Sequence, residues 1–400
     1  MTHRSQTGQG PDTSVPGPAP WNNPHIRSIV FQAVAFAGLV YFFYTIFDNT
    51  LTNMERRGIT TGFGFLNNEA GFGILMSLIP YDETNTYGRT FFVGLLNTLL
   101  VSGLGIFFAT ILGFLVGVAR LSNNWLISKI ATVYVEVLRN IPLLLQILFW
   151  YFTVLQALPS TKNSMTLGKD IFFNNRGLYM PAPVFEDGFG FVLLAFVLAI
   201  GLIVYWRNWA HRRQNETGRQ YPVFWISLCL LVGGPALAYL LAGMPISWEA
   251  PSRTRFSFSG GMRVIPELMA LLWALTMYTA TFIAEIVRAG ILSVSHGQTE
   301  AARALGLREG QTLRLVVIPQ AMRVIIPPLT NQFLNLTKNS SLATAIAYPD
   351  LVSVFMGTTL NQTGQAVEIV AMTMGVYLTI SLVISTFMNW YNKRIALTER

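Results

Sequence analysis

SVSHGQTEAARALGLREGQTLRLVVIPQA, residues 293–321, is the stretch on which the reading of this chain turns. Ser295 followed by Gln298 fits a helix-start capping box. Glu300 then falls in the first turn, where a carboxylate favours the positive end of the helix dipole. Ala301, Ala302 and Ala304 continue a short helix with an almost featureless face, and Gly306 after Leu305 suits the left-handed residue that stops it. A helix this short has no stability alone, so its own loop or a partner must hold it. Two readings follow. One is a plug whose small side chains let another protein's groove approach the backbone; the other is an ordinary amphipathic connector.

What the loop connects narrows the choice. Of the 400 residues 52% are hydrophobic and only 12% are charged, about half of the ~25% usual in soluble domains. Phe contributes 28 residues, Tyr 14 and Trp 9, and the mean hydropathy is +0.46. A soluble protein so poor in charge could not cover its surface, and disorder of the bulk is excluded because disorder needs low hydrophobicity. The composition is that of an integral membrane protein. The net charge of +8 is then explained by basic cytoplasmic loops rather than by nucleic acid. The single Cys229 excludes an intramolecular disulfide.

Eight apolar spans are expected. The first, about Ser28 to Phe47, is too long for a signal-peptide core and precedes no Ala-x-Ala site, so it stays in the membrane. The others lie near 91–118, 131–157, 189–206, 222–242, 264–287, 325–347 and 366–388. Eight crossings put both termini on one side. The connection 207–221 carries Arg207, Arg212, Arg213 and Arg219, the connection 288–324 carries five arginines, and the tail adds Lys393, Arg394 and Arg400. All fall on the side of the N-terminal tail, which the positive-inside rule makes the cytoplasm. Sizeable outward segments near 48–90, 158–188 and 243–263 mix aromatic residues with Gly, Asn and Pro. They suit either a partner's surface or a rest in the headgroup layer.

Catalytic signatures are missing. No His-Glu-x-x-His, Cys-x-x-Cys or Gly-x-Ser-x-Gly pattern occurs, and the one Gly-Lys, Gly168-Lys169, is followed by Asp170 rather than Ser or Thr. The chain is expected to bind no metal and no cofactor and to hydrolyse no ATP itself.

Glu300-Ala301-Ala302, then Gly306, then Ile318-Pro319, resembles the EAA loop of bacterial ABC-importer membrane subunits. GLLNTLLVSGLGIFFATILGFLVGVARLS (94–122), YVEVLRNIPLLLQILFWYF (134–152), YTATFIAEIVRAGI (278–291) and PPLTNQFLNLTKNSSLATAI (327–346) resemble the polar amino-acid permease branch. The enlarged layout is similar to the general L-amino-acid permease subunits of alphaproteobacteria. The resemblance implies an all-α membrane fold with a five-helix core of the type I, MetI-like kind and three extra helices. It divides the chain into a disordered cytoplasmic tail (1–26), an extra span with its periplasmic segment (27–90), a first core part (91–158), an insertion carrying two extra spans (159–262), a second core part (263–390) and a tail (391–400). It further implies an inner-membrane importer of L-amino acids, of broad specificity with polar, acidic and amide side chains included. A homologous second permease would complete a heterodimer, two cytoplasmic ATPases would bind ATP and Mg, and a periplasmic binding protein would deliver the substrate. Glu300 would then be a polar contact to the ATPase, with Ala301, Ala302 and Gly306 giving shape. Arg303 and Arg308 read as positive-inside residues.

Ionisable and polar groups inside spans are pathway candidates. Asn331, Asn335 and Lys338 fall at i, i+4 and i+7 on one helix face, where Lys338 would attract a substrate carboxylate. Gln146 and Thr279 are candidates for the same cavity, although buried amides and hydroxyls also serve simply to hold helices together. Glu136 with Arg139, and Glu285 with Arg288, are three apart and fit gate ion pairs. The rival reading is a stand-alone secondary transporter, which would carry coupling-ion acids at mid-membrane and often an internal repeat. Glu136 and Glu285 lie instead near span ends, and no convincing repeat relates the halves.

Overall fold

The computed structural model describes residues 24–56, 61–255 and 257–395. The expected disordered tail falls mostly in 1–23, outside the described residues. Two units are distinguished, residues 1–63 with 364–368 and residues 64–363 with 369–400.

The first unit holds helix α1, Pro24–Arg56. Its apolar side chains face outward, with Phe31, Phe36 and Tyr41 all largely exposed. That is the burial pattern of a helix whose solvent is lipid.

In the second unit the long helices are α2 (Tyr87–Ala119), α3 (Trp125–Asn140), α4 (Leu143–Leu155), α5 (Phe189–Thr217), α6 (Val223–Leu241), α7 (Pro266–Leu292) and α9 (Glu309–Ile346). The nine-residue α8, His296–Ala304, lies between α7 and α9. Helix α10, Ala366–Ile395, closes the described chain. Among the described residues seven helices are long and apolar enough to cross a membrane, and α3 and α4, bent by 104° at the break between them, make an eighth crossing only if the pair is one span. Where the sequence suggests one span over 131–157, the chain breaks at Ile141 because Pro142 follows. A residue before proline is pushed out of the helical region, and Ile141 is extended, with φ −96° and ψ 128°. Gln146 Nε2 donates to the carbonyls of Leu138 (2.8 Å) and Ile141 (3.0 Å), groups that the break releases from the helical ladder.

Helix α7 is the centre of the core, with Leu271, Leu275, Ile283 and Ala284 fully buried. Helix α2 lies against it through Gly113 and Gly117. A Cβ on Gly113 would stand 2.5 Å from Ile283 Cβ, and one on Gly117 would stand 2.8 Å from the Ala284 carbonyl oxygen. Small residues four apart are how membrane helices come this close. Helices α5 and α6 pack on each other, and α5 runs eleven residues beyond the expected end at 206, to Thr217.

The segments between these spans hold what the periodicity did not suggest. Strands β1 (Met165–Leu167), β2 (Ile171–Asn174), β3 (Gly177–Met180), β4 (Ala182–Phe185), β5 (Ile246–Glu249), β6 (Ser252–Arg253), β7 (Phe258–Ser259) and β8 (Met262–Val264) build a small β module. The order β1-β2-β3-β8 forms an antiparallel sheet, and β4-β5 and β6-β7 are two-stranded ribbons. Strand β8 pairs with β3, Leu178 opposite Val264, and then enters α7 through the buried Ile265. The helical class therefore holds, with this module added between its spans.

Candidate functional site

The loop 293–321 folds as a short helix held by its own chain. Ser295 is the N-cap residue of α8, yet its side chain makes no cap hydrogen bond, so the expected capping box does not form. Gln298 is drawn elsewhere, accepting from Gln320 Nε2 at 3.3 Å. Gly306 ends the helix at φ +76°. The Leu307 N–H reaches the Ala302 carbonyl (3.1 Å) and the Gly306 N–H reaches Arg303 (2.9 Å), the paired bonds of a left-handed stop. Glu300, Ala301 and Gly306 are exposed, whereas Ala302 is buried against the loop. Ala302 thus seats the helix, and the outer face belongs to the others. Beside them Leu305 is 82% exposed, an apolar side chain at a helix end that sequence periodicity gave no reason to single out. His296 Nδ1 lies 3.0 Å from Glu300 Oε1, so Glu300 is steadied by its own helix.

Directly before this loop, the ends of α2 and α7 are tied by charge. Glu285 bonds Arg288 Nη2 at 2.6 Å and also meets Arg120 Nη1. The expected Glu285–Arg288 pair is therefore a triad. Arg120 lies 165 residues from Glu285, and nothing in the sequence marks the two as neighbours. Glu136 and Arg139 form no such pair. The Arg139 guanidinium instead lies over the Phe282 ring, 5.2 Å from its centroid, which ties the end of α3 to α7 by a cation–π contact.

Asn331, Asn335 and Lys338 share an exposed face of α9 as their spacing requires. Lys338 opens into a concavity of about 380 Å³ shared with Ser341, Val352, Met356, Thr373 and Tyr377. Among its described lining residues are one cation, three hydroxyls and no carboxylate. The hydroxyl hydrogens are given to the carbonyls of Lys338 and Ile369 and to Asp350, which leaves the Lys338 ammonium to face a small carboxylate-bearing solute. Gln146 and Thr279 do not join it. Gln146 Nε2 is committed to the α3–α4 break, and Thr279 is buried within α7. Ser341 enters the site from the last turns of α9, and Thr373 and Tyr377 from α10, a convergence that only the fold supplies.

A buried polar hub backs this concavity. Asn97 of α2 donates from Nδ2 to the carbonyls of Met76 and Pro349, each at 2.9 Å, and its backbone carbonyl accepts from the Tyr348 hydroxyl (3.0 Å). Asp350 accepts from the Ser353 N–H (2.8 Å) and from the Tyr377 hydroxyl (3.3 Å). It caps the helical segment that follows, and burial pushes its carboxyl up to about 7.

Comparison with known proteins shows the family of the chain. Residues 105–397 match the family described as the inner-membrane component of binding-protein-dependent transport systems. Over 400 residues, all of both chains, the sequence is 53% identical to a putative amino-acid ABC transporter permease protein, YhdX, of Escherichia coli K12. It is 51% identical to AapQ, a general L-amino acid transport system permease protein of Rhizobium johnstonii, over 94% of each chain. It is 45% identical to the glutamate/glutamine/aspartate/asparagine transport system permease protein BztB of Rhodobacter capsulatus, over 94% of this chain and 95% of that one. A membrane-spanning core whose α7 leads into a short exposed helix, and whose sequence follows these permeases from end to end, belongs to the inner-membrane components of binding-protein-dependent transport systems.

Proposed function

We propose that the chain is one membrane subunit of an ATP-driven importer that carries L-amino acids across the inner membrane by alternating access. The observation that carries this reading is α8, a nine-residue helix presented with Glu300, Ala301, Leu305 and Gly306 outward. The names of its relatives supply the substrate class. A separate ATPase, two copies per complex, grips α8 on the cytoplasmic side, binds ATP and Mg, and performs the hydrolysis. A homologous second permease completes the pathway, and a soluble binding protein delivers the amino acid on the other side. Both termini of this chain lie in the cytoplasm, on the side of the arginine-rich connections. Closure of the ATPases moves α8 because their ATP-bound and free states hold it differently. The Arg120–Glu285–Arg288 triad keeps α2 and α7 moving together as α8 is displaced. In the pathway Lys338 attracts the substrate carboxylate, and Asn331 and Asn335 offer hydrogen bonds on the same face.

Reconstitution in liposomes with the ATPase, the partner permease and the binding protein tests this. Wild type is compared with Glu300→Ala, Gly306→Pro and Lys338→Gln. Uptake needs internal ATP and the binding protein; it falls in both loop variants although the complex assembles, and Lys338→Gln slows uptake while ATP hydrolysis continues. Ion-driven uptake by this chain alone, indifferent to ATP, would establish a secondary transporter instead.

A further inference from the structure

The β module contains a concavity of about 250 Å³ lined by Thr161, Lys162, Arg253, Thr254, Arg255 and Ser257. Three of these side chains are cationic and three carry hydroxyls, and among the described residues the lining contains neither a carboxylate nor an apolar side chain. Its framework is built rather than incidental. The β6–β7 turn is pinned by the Thr254 N–H to the Ser257 carbonyl (2.9 Å) and by the Ser257 N–H to Thr254 Oγ1 (3.1 Å). Arg253 lies over the Phe258 ring, 5.9 Å from its centroid. That ring is itself wedged between Phe172 at 4.6 Å and Tyr179 at 4.7 Å. A guanidinium laid on an aromatic face loses less freedom on binding than one that moves freely in water.

The position of the module gives the charge a use. Strand β8 passes through one buried residue, Ile265, into α7, and the far end of α7 leads through residues 293–295 into α8. Gly177 of β3 sits so close to Val264 of β8 that a Cβ there would stand 2.3 Å from the Val264 carbonyl oxygen, so the sheet is fastened where it meets α7. Whatever seats on the module therefore acts on the helix that carries the coupling loop at its opposite end.

We propose that this concavity is the docking surface for an acidic face of the soluble substrate-binding protein, receiving one or two protruding Asp or Glu side chains. The proposal rests on the importer reading, since it places the module on the side from which substrate is delivered. The size fits side chains rather than a free nucleotide or a larger ligand, and the cationic Lys162, Arg253 and Arg255 favour carboxylates. Charge pairs at such a rim govern encounter and register between partners. An anionic lipid headgroup is the competing occupant, and the experiment separates the two.

The test uses the complete complex in liposomes, in neutral lipid and again with anionic phospholipid, with uptake followed as the binding-protein concentration is varied. The triple variant Lys162→Glu, Arg253→Glu, Arg255→Glu is expected to raise the half-saturating binding-protein concentration by about tenfold or more. In wild type that concentration rises with added salt, and in the triple variant the rise is lost. Lys162→Gln alone gives a smaller shift in the same direction, which covers the case in which the triple variant fails to assemble. Lys169→Glu, in the neighbouring β1–β2 turn, leaves the half-saturating concentration where it was. Unchanged binding-protein dependence in the triple and single variants overturns the proposal. So does a defect that appears only when anionic lipid is present. Wild-type uptake that never depended on the binding protein would overturn the importer reading itself, a result distinct from either.

Discussion

The triad at the ends of α2 and α7 supports a prediction that simple counting of ion pairs would get wrong. One carboxylate, Glu285, serves two guanidiniums; Arg120 is 12% exposed, while Glu285 and Arg288 are 31% and 33% exposed. Removing one partner of a buried pair costs about 3–5 kcal/mol, because it leaves a charge without compensation. Exposure of about a third on two of the three groups lowers that to about 2 kcal/mol for Glu285→Gln. Arg288 can turn to solvent, but Arg120 cannot, so the cost resides in Arg120. Arg120→Met costs less, about 1 kcal/mol or below, because Glu285 keeps Arg288 and the buried Arg120 Nε, which has no partner, is removed with it. The double variant Arg120→Met/Glu285→Gln is then expected to be more stable than Glu285→Gln alone. Thermal retention of folded protein in detergent, read by size-exclusion chromatography after heating, ranks the variants. A double variant that loses as much as the two singles added together would refute the reasoning, since independent sites simply add.

Three further outcomes follow from the geometry. Gly117→Ala should disrupt assembly, because the added Cβ meets the Ala284 carbonyl and Val287 Cβ, each at 2.8 Å, at a cost of about 1–3 kcal/mol. By contrast Gly103→Ala, with nothing within 4 Å, should leave stability unchanged or raise it by about 0.5–1 kcal/mol, as thermal retention would show. At Asp350 the carboxyl is pushed up to about 7 from an ordinary 3.8. Its contribution to stability is full below about 4 and is lost as pH rises through about 7. Raising the pH from 6 to 8 should therefore cost wild type about 1 kcal/mol through this group. Asp350→Asn keeps an oxygen for the Ser353 N–H and should flatten that decline. Parallel pH dependence of melting in the two proteins would exclude the effect.

What could be read without coordinates was what depends on local composition. A run of about twenty apolar residues crosses a membrane whatever its neighbours do, so most spans are found close to their places, although α9 begins at Glu309, well before the expected 325, and ends near the expected 347. Gly306 could be read for the same reason, since the left-handed stop is a property of one residue and its backbone. The break at Ile141-Pro142 carried a local signal, a proline after a long helical run, but hydropathy alone joins the two halves into one apolar span. The β module escaped because its strands are two to four residues long, too short for alternation to register against a background of aromatic residues and glycine. Long-range pairing was invisible throughout. Arg120 with Glu285, and Lys338 with Tyr377, are brought together by packing, and no spacing rule reaches across so many residues. Glu136 and Arg139 show the converse error. Their spacing permits a pair, yet Phe282 of a neighbouring helix offers the guanidinium a face, and tertiary contact overrides the local preference.

The same contrast bears on how the molecule transmits force. A signal travelling between the β module and α8 needs a stiff element and few soft joints. Helix α7 spans 27 residues, about 40 Å at 1.5 Å per residue, and the residues along its middle are packed on several sides. Its entry is a single buried residue, Ile265, and its exit to α8 is the three residues 293–295. The joint at α8 is therefore the softer of the two, and it is the joint at which an ATPase would pull. Gln298 to Gln320 and the buried Ala302 bind α8 instead to the start of α9, so a displacement of α8 is shared between α7 and α9. Helix α9 carries Lys338. A displacement of α8 would thus be carried along α9 toward Lys338 and along α7 toward the β module.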